Sequence, residues 1–339
     1  MARAKRRVSR HSGVLGEREI IDLLRKRMDV LPRSFLPFGD DVSGVPLEDG
    51  RVAVLKTDML VGKTDVPRGM SLWQAARKAV VMNVSDFAAK GVEPQAVLIS
   101  LGLPRVLLSK DIEEIGRGLN SGAREYGAYI IGGDTGEASD LIIAASLFGT
   151  AERKRMMLRS GAKLGDIVAV TGFFGKSAAG LRLLLNNCAA SEEMSRVLVG
   201  SVFMPQARLK EGLALAGSSA VSASVDSSDG LAWGLYELSR MSGVGFHISS
   251  VPIADEVKCF ADFNGLDASE LALYGGEEYE LIVTVRAKFW GEAEVAVERV
   301  GGRLLPIGKV VRETEVVLEL DGKKKSIEPR GWEHFKSGL

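Results

Sequence analysis

The chain has 339 residues, 46% hydrophobic and 26% charged, with 44 Lys and Arg balanced against 44 Asp and Glu. That length suits about two domains, and the balance leaves no global basic surface to hold nucleic acid or a membrane. Two distant cysteines, Cys188 and Cys259, and three histidines, His11, His247 and His334, argue against a disulfide framework and against a His- or thiolate-based zinc centre.

No apolar run approaches the ~18 residues of a transmembrane helix, so a cytoplasmic protein is expected. Arg3, Lys5, Arg6, Arg7 and Arg10 crowd the first ten residues without an apolar stretch behind them. They are therefore not a secretory signal. So short a basic run reads as a solvated terminus before it reads as a nucleic-acid arm.

In chain order, Glu17 to Met28 has helical spacing, with Ile20, Ile21, Leu23, Leu24 and Met28 able to share a face. Arg51 to Leu55 reads as a strand ending at Lys56-Thr57-Asp58, and Gly62 to Met70 as a loop. Ser71 to Lys90 is a long helical pattern with Asn83 and Asp86 three apart. Ala96 to Leu101 is a strand and Ser109 to Tyr126 a helix capped by Ser109. Tyr129 to Ile131 reads as a short buried strand feeding a Gly132-Gly133-Asp134 turn, and Leu141 to Thr150 as another strand. The charge cluster Glu152 to Arg155 marks a domain boundary, giving 1–152 and 153–339. Beyond it, strands are expected at Asp166 to Val170, Ala223 to Val225, Glu280 to Val285 and Leu304 to Val310. Helices are expected at Lys176 to Leu185, Pro205 to Ala216, Leu231 to Met241 and Ala287 to Val300. The fold class is α/β with mixed sheets.

Chemistry concentrates in aspartates next to glycine or hydroxyl residues. Asp40-Asp41 follows Gly39, and two ionised carboxylates about 4 Å apart repel by roughly 4 kcal/mol at an effective dielectric of about 20. A cation is expected there, and among oxygen ligands that cation is Mg²⁺. The theme recurs at Lys56-Thr57-Asp58, Asn83-Val84-Ser85-Asp86, Gly132-Gly133-Asp134-Thr135 and Asp226-Ser227-Ser228-Asp229-Gly230. Mg²⁺ prefers few carboxylates, water and substrate phosphates, so this many acids points to several ions around a polyphosphate. Gly175-Lys176-Ser177 is not a Walker A loop, because Val170 stands where its first glycine is required. Gly275-Gly276-Glu277-Glu278-Tyr279 reads as either a substrate-contact loop or a polar hairpin.

These motifs, taken in order with Arg159-Ser160-Gly161-Ala162, Gly175 to Gly180 and Gly331-Trp332-Glu333-His334-Phe335, resemble the thiamine-monophosphate kinase family. The broader likeness is to the aminoimidazole ribonucleotide synthetase superfamily. The resemblance runs from about Val14 to Phe335. It implies a two-domain protomer, an N-terminal domain that builds a homodimer, and transfer of the ATP γ-phosphoryl directly onto thiamine monophosphate. It further implies Asp41, Thr57, Asp58, Asp86, Asp134, Asp226 and Asp229 as Mg²⁺ ligands. Gly133, Asp134, Arg159 and Ser228 become ATP contacts, and Asp65, Glu277 and Trp332 substrate contacts. No nucleophilic side chain is implied. Three positions depart from the family pattern: Asp65-Val66 replaces a frequent His-Phe pair, Lys56 replaces a hydroxyl residue able to ligate metal, and Glu278 replaces Asp.

Within the superfamily, selenophosphate synthetase requires an N-terminal Cys or selenocysteine, and the hydrogenase-maturation dehydratase a C-terminal Cys; neither is present here. Aminoimidazole ribonucleotide synthetase is disfavoured by the Gly275 and Gly331 motifs. The alternative from another class is a nucleotide-binding protein without enzymatic activity, or an RNA-associated one using the basic arm.

Overall fold

A computed structural model describes residues 15–29, 31, 34–185 and 188–335; the basic arm lies outside them. The first half runs α1 (Glu17–Arg25), β1 (Ser43–Pro46), β2 (Arg51–Val61), α2 (Gly62–Asp65), α3 (Leu72–Lys90), β3 (Ala96–Leu103), α4 (Ser109–Glu125), β4 (Tyr129–Glu137) and β5 (Ile142–Glu152). The second half runs β6 (Ile167–Val170), α5 (Lys176–Leu185), α6 (Glu192–Phe203), α7 (Leu209–Ser218), β7 (Val221–Asp226), α8 (Leu231–Ser242), β8 (Gly245–Ile248), α9 (Asp255–Asn264), α10 (Ala268–Tyr274), β9 (Leu281–Val285), α11 (Trp290–Arg299), β10 (Leu305–Val311), β11 (Val316–Leu320) and β12 (Lys323–Ser326). The strands form a five-stranded sheet, β1-β2-β5-β3-β4, and a seven-stranded sheet, β12-β11-β8-β10-β6-β9-β7. Both sheets mix parallel with antiparallel neighbours.

Helix α3 lies between the sheets and organises the molecule. Ser71 caps it by accepting from Gln74 N at 3.1 Å, and Gly91 ends it in a left-handed turn. Nearly all of its residues are buried, because it packs on β2, β5 and α4 on one side and on α7, β7 and β9 on the other. Small residues make this possible: a Cβ at Gly118 or Gly122 of α4 would press on the α3 backbone at Trp73 or Arg77. Sites three, four and eight residues apart share one face of a helix. Asp86 and Lys90 therefore share a face, while Lys78 lies about two turns before Asp86 and meets Glu277.

Two segments differ from the sequence expectation. Strand β2 does not stop at Lys56; it pairs with β5 from Arg51↔Glu152 through Val61↔Ile142, so Thr57 and Asp58 are mid-strand. Strict alternation then sends Lys56, Asp58 and Leu60 inward, while Leu55, Thr57 and Met59 face outward. Strand β4 is an exposed edge and continues through Gly132-Gly133-Asp134 to Glu137 instead of turning there. Its register with β3 shifts at Val97/Leu98, and a Cβ on Gly133 would fall 1.8 Å from the Ile99 carbonyl oxygen. Backbone crowding at this irregularity accounts for glycine at 133. Helices α6, α9 and α10 carried no marked sequence signal, and Gly62 to Asp65 forms a short helix inside the expected loop.

Among the described residues no helix is long and apolar enough to cross a membrane.

Candidate active site

Asp40 and Asp41 sit in the turn before β1, and their side chains are fully buried. The cation that relieves their repulsion is part of the protein. Lys90, itself 0% exposed, places its Nζ 2.7 Å from Asp40 Oδ1 and 2.5 Å from Asp41 Oδ2, and donates to the Ser224 carbonyl at 2.8 Å. Arg159 closes the other side. Its Nε donates to Asp41 Oδ1 at 2.7 Å, its backbone N to Asp40 Oδ2 at 3.2 Å, and Nη1 to the Gly39 carbonyl at 2.9 Å. The same guanidinium lies 3.3 Å from Glu237 Oε2. Burial pushes the Asp41 carboxyl up, but Arg159 and Lys90 outweigh it and hold the group at about 2. Lys90 and Arg159 thus supply counter-charge at the pair for which a metal ion was expected.

Three elements then converge. One carboxylate oxygen each from Asp41, Asp86 on α3 and Asp226 at the end of β7 lies within 4.8 Å of the other two. Ser85 donates to Asp226 Oδ2 at 2.6 Å and Ser228 to Asp226 Oδ1 at 3.2 Å, fixing its orientation. Burial drives the Asp86 carboxyl well above its ordinary range. Lys56 pulls it down, and neighbouring Asp226 pushes it up again. Burial likewise raises Asp226, with Asp41 adding to the effect. With Asp40 and Asp58 alongside, the five carboxylates outnumber the three cations Lys56, Lys90 and Arg159. Hard anionic oxygens meeting from three elements fit a divalent cation such as Mg²⁺.

Asp58 joins this group through Lys56, whose Nζ lies 3.0 Å from Asp58 Oδ1 and 3.0 Å from Asp86 Oδ2. Burial opposes the Lys56 charge, yet Asp86 and Asp58 raise its pKa above the ordinary lysine value.

Asp229 stands at the rim after Asp226. Its side chain is 45% exposed, and partial desolvation raises the carboxyl above its ordinary value although Arg18 of α1 approaches to 3.8 Å. Arg18 also donates to Glu333 at 3.0 Å and stacks 3.1 Å above the Trp233 ring. Helix α1 and the 331–335 tail therefore meet beside Asp229.

The Gly275 to Tyr279 segment is neither a hairpin nor a free loop. It connects α10 to β9 with positive φ at Glu277 (62°) and Tyr279 (54°). Glu277 N donates to the Ser228 carbonyl at 2.7 Å, and Trp332 N donates to the Asp229 carbonyl at 3.0 Å. A Cβ on Gly276 would lie 2.7 Å from the Ser228 carbonyl oxygen and 3.0 Å from Trp332 Cβ, and one on Gly331 would lie 2.1 Å from the Asp229 carbonyl oxygen. These two glycines let three segments pack side by side, which sets Glu277, Ser228 and Trp332 together. Lys78 Nζ holds Glu277 Oε1 at 2.6 Å and donates to the Asp65 carbonyl at 3.2 Å. The Asp65 carboxylate itself is occupied by Val61 N at 2.7 Å. Glu278 accepts from Gly175 N at 2.7 Å and Ser177 N at 3.0 Å, so the start of α5 holds an internal anion; burial raises that carboxyl to about 7. Beside Glu277 and Glu278 opens a cleft of about 680 Å³ reaching to Lys176, Arg208 and Arg303.

Of the residues singled out from sequence, Asp41, Asp86, Asp226 and Asp58 gather in one place, with Arg159, Ser228 and Asp229 adjoining. Glu277 and Trp332 form a neighbouring group. Thr57 and Asp134 do not join the trio: Thr57 faces outward and accepts from Ser146 Oγ at 2.9 Å, and Asp134 is exposed on edge strand β4, opposite Ser100. Lys78, Lys90 and Arg18 were missed. Lysines spaced at eight and four residues from Asp86 on an otherwise apolar helix were the available signal for the first two.

Residues 39–151 match the family described as AIR synthase related protein, N-terminal domain. The chain is 37% identical to the thiamine-monophosphate kinase of Pyrococcus abyssi over 325 residues, covering 95% of this chain and 97% of that one. It is 33% identical to the thiamine-monophosphate kinase of Nitrosopumilus maritimus, covering 95% and 99%. Among solved structures it resembles AaThiL complexed with AMPPCP and TMP, with a TM-score of 0.81, 32% identity and coverage of 94% and 97%. On this likeness over nearly the whole of both chains, the protein belongs to the thiamine-monophosphate kinase family.

Proposed function

We propose that this chain phosphorylates thiamine monophosphate to thiamine diphosphate at the expense of ATP, by direct in-line transfer of the γ-phosphoryl group. The observation that carries the reading is the convergence of Asp41, Asp86 and Asp226 beside Arg159. Asp58 and Asp229 extend that acidic floor. Mg²⁺ bound there would neutralise phosphate oxygens during transfer. Thr57 and Asp134, on the outer side of the sheet, would act at a distance from this core. No side chain is assigned as nucleophile. Arg159 presents its guanidinium to the polyphosphate, Ser228 orients Asp226, and Gly133 allows close backbone approach at β4. Glu277 and Trp332 offer a carboxylate and an indole to the cationic thiazolium of the acceptor. Asp65 contributes through its backbone hold on Lys78. The test is ADP release with ATP and Mg²⁺ in the presence of thiamine monophosphate, free thiamine or formylglycinamidine ribonucleotide. Turnover is expected with thiamine monophosphate alone; turnover with the ribonucleotide instead would move the chain to another branch of the superfamily.

The first domain, 1–152, is proposed to build a homodimer through the outer face of its sheet. Leu55, Met59, Leu98, Tyr129, Ile131 and Phe148 are exposed there. A contiguous apolar sheet face of this kind is normally covered, and a second copy is the expected cover. The Met59→Glu/Phe148→Glu double variant should run as a monomer in light scattering where the unaltered chain runs as a dimer. A monomeric unaltered chain at micromolar concentration would remove the basis for this assignment. A cytoplasmic location completes the proposal.

A further inference from the structure

Lys56 is the one basic residue that β2 turns toward the acidic floor, and its surroundings differ from those of Lys90. Lys90 is sealed beneath Asp40 and Asp41 and also tied to the Ser224 carbonyl, so it belongs to the frame of the fold. The Lys56 side chain is 20% exposed and forms ion pairs with two carboxylates. Its ammonium stands 3.0 Å from one oxygen of Asp58 and 3.0 Å from one oxygen of Asp86. Asp86 is at the same time part of the trio with Asp41 and Asp226. A divalent ion between Asp58 and Asp86 would need an oxygen from each carboxylate at about 2.0–2.6 Å. It would then lie against the ammonium, and two cations in contact in a partly buried site repel strongly.

Resting on the acidic Mg²⁺ site argued above, we propose that Lys56 is a built-in cation that takes the place of one divalent ion between Asp58 and Asp86. The site then works with one metal ion fewer than its carboxylates could hold. The lysine also keeps Asp58 and Asp86 at a fixed separation when nucleotide is absent.

The experiment counts Mn²⁺ bound per protomer on the whole chain with a non-hydrolysable ATP analogue, reading free Mn²⁺ by electron paramagnetic resonance. Lys56→Ala is expected to bind one ion more than the unaltered chain, and Lys56→Arg the same number. Equal counts for Lys56→Ala and the unaltered chain overturn this proposal while leaving the metal site standing. No retained Mn²⁺ in any of the proteins overturns both. Should Lys56→Ala not fold, the unaltered chain decides, using ¹⁵N-lysine labelling. The Lys56 ammonium signal, identified by its loss in Lys56→Arg, is expected to persist unshifted as diamagnetic Mg²⁺ saturates the site. Its loss on Mg²⁺ addition would show the ammonium displaced and sink the idea.

Discussion

Asp86→Asn should lower turnover of thiamine monophosphate by about three orders of magnitude or more, roughly 4 kcal/mol of transition-state stabilisation, with the fold intact. Asp86 is the residue where the two groups of charge meet: it faces Asp41 and Asp226 on one side and Lys56 on the other. Asparagine keeps the shape and removes the charge. The trio then holds cations poorly, and Lys56 is left with Asp58 alone. The fold is not expected to suffer, because burial disfavours the ionised carboxyl that the substitution removes. Steady-state kinetics beside a thermal melt separates the two effects. Turnover within tenfold of the unaltered enzyme would contradict the central role given to this acidic floor.

The second large effect concerns stability. Lys90→Met should destabilise the protein by about 3–5 kcal/mol, because it removes the lysine that pairs with both buried carboxylates and leaves Arg159 as their remaining counter-charge. Chemical unfolding at neutral pH measures this. The pH dependence carries the diagnosis. In the unaltered protein Asp41 is held at about 2, below its ordinary 3.8. A lowered carboxyl contributes stability that is present above the unfolded value and is lost as the pH falls through the folded one. The gap between Lys90→Met and the unaltered protein should therefore narrow as the pH drops below about 4. A gap independent of pH would mean that lost packing, not lost charge pairing, is responsible.

Much of this was legible from residues alone, for reasons that can be named. The turn chemistry of Gly39-Asp40-Asp41 and the strand-to-helix passage at Asp226 to Gly230 are local, so their glycines and carboxylates announce themselves. Ser71 and Gly91 delimit α3 in the same way. What escaped was non-local. Strand β2 continues past Lys56 because β5 pairs with it as far as Ile142, and nothing within 51–61 encodes that partner. Thr57 consequently faces away from Asp58, although adjacent acid and hydroxyl suggested a common target. Gly132-Gly133-Asp134 read as a turn, yet β4 runs through it and the Ile99 carbonyl explains the second glycine. The Asp40-Asp41 pair correctly implied a nearby cation, but that lysine lies about fifty residues away in sequence, visible only once α3 is placed.

The position of α3 has a consequence for motion. Arg77 donates to the Pro205 carbonyl at 2.9 Å, Ser85 to Asp226 at 2.6 Å and Lys90 to the Ser224 carbonyl at 2.8 Å, so this helix of the first half is tied to the second half by three polar links. A hinge that swung the halves apart would have to strip these links and wet the lysine beneath Asp41. Among the described residues, the contact of Arg18 with Glu333 at the rim carries no such buried link to α3, so separation of the two halves costs most along that helix.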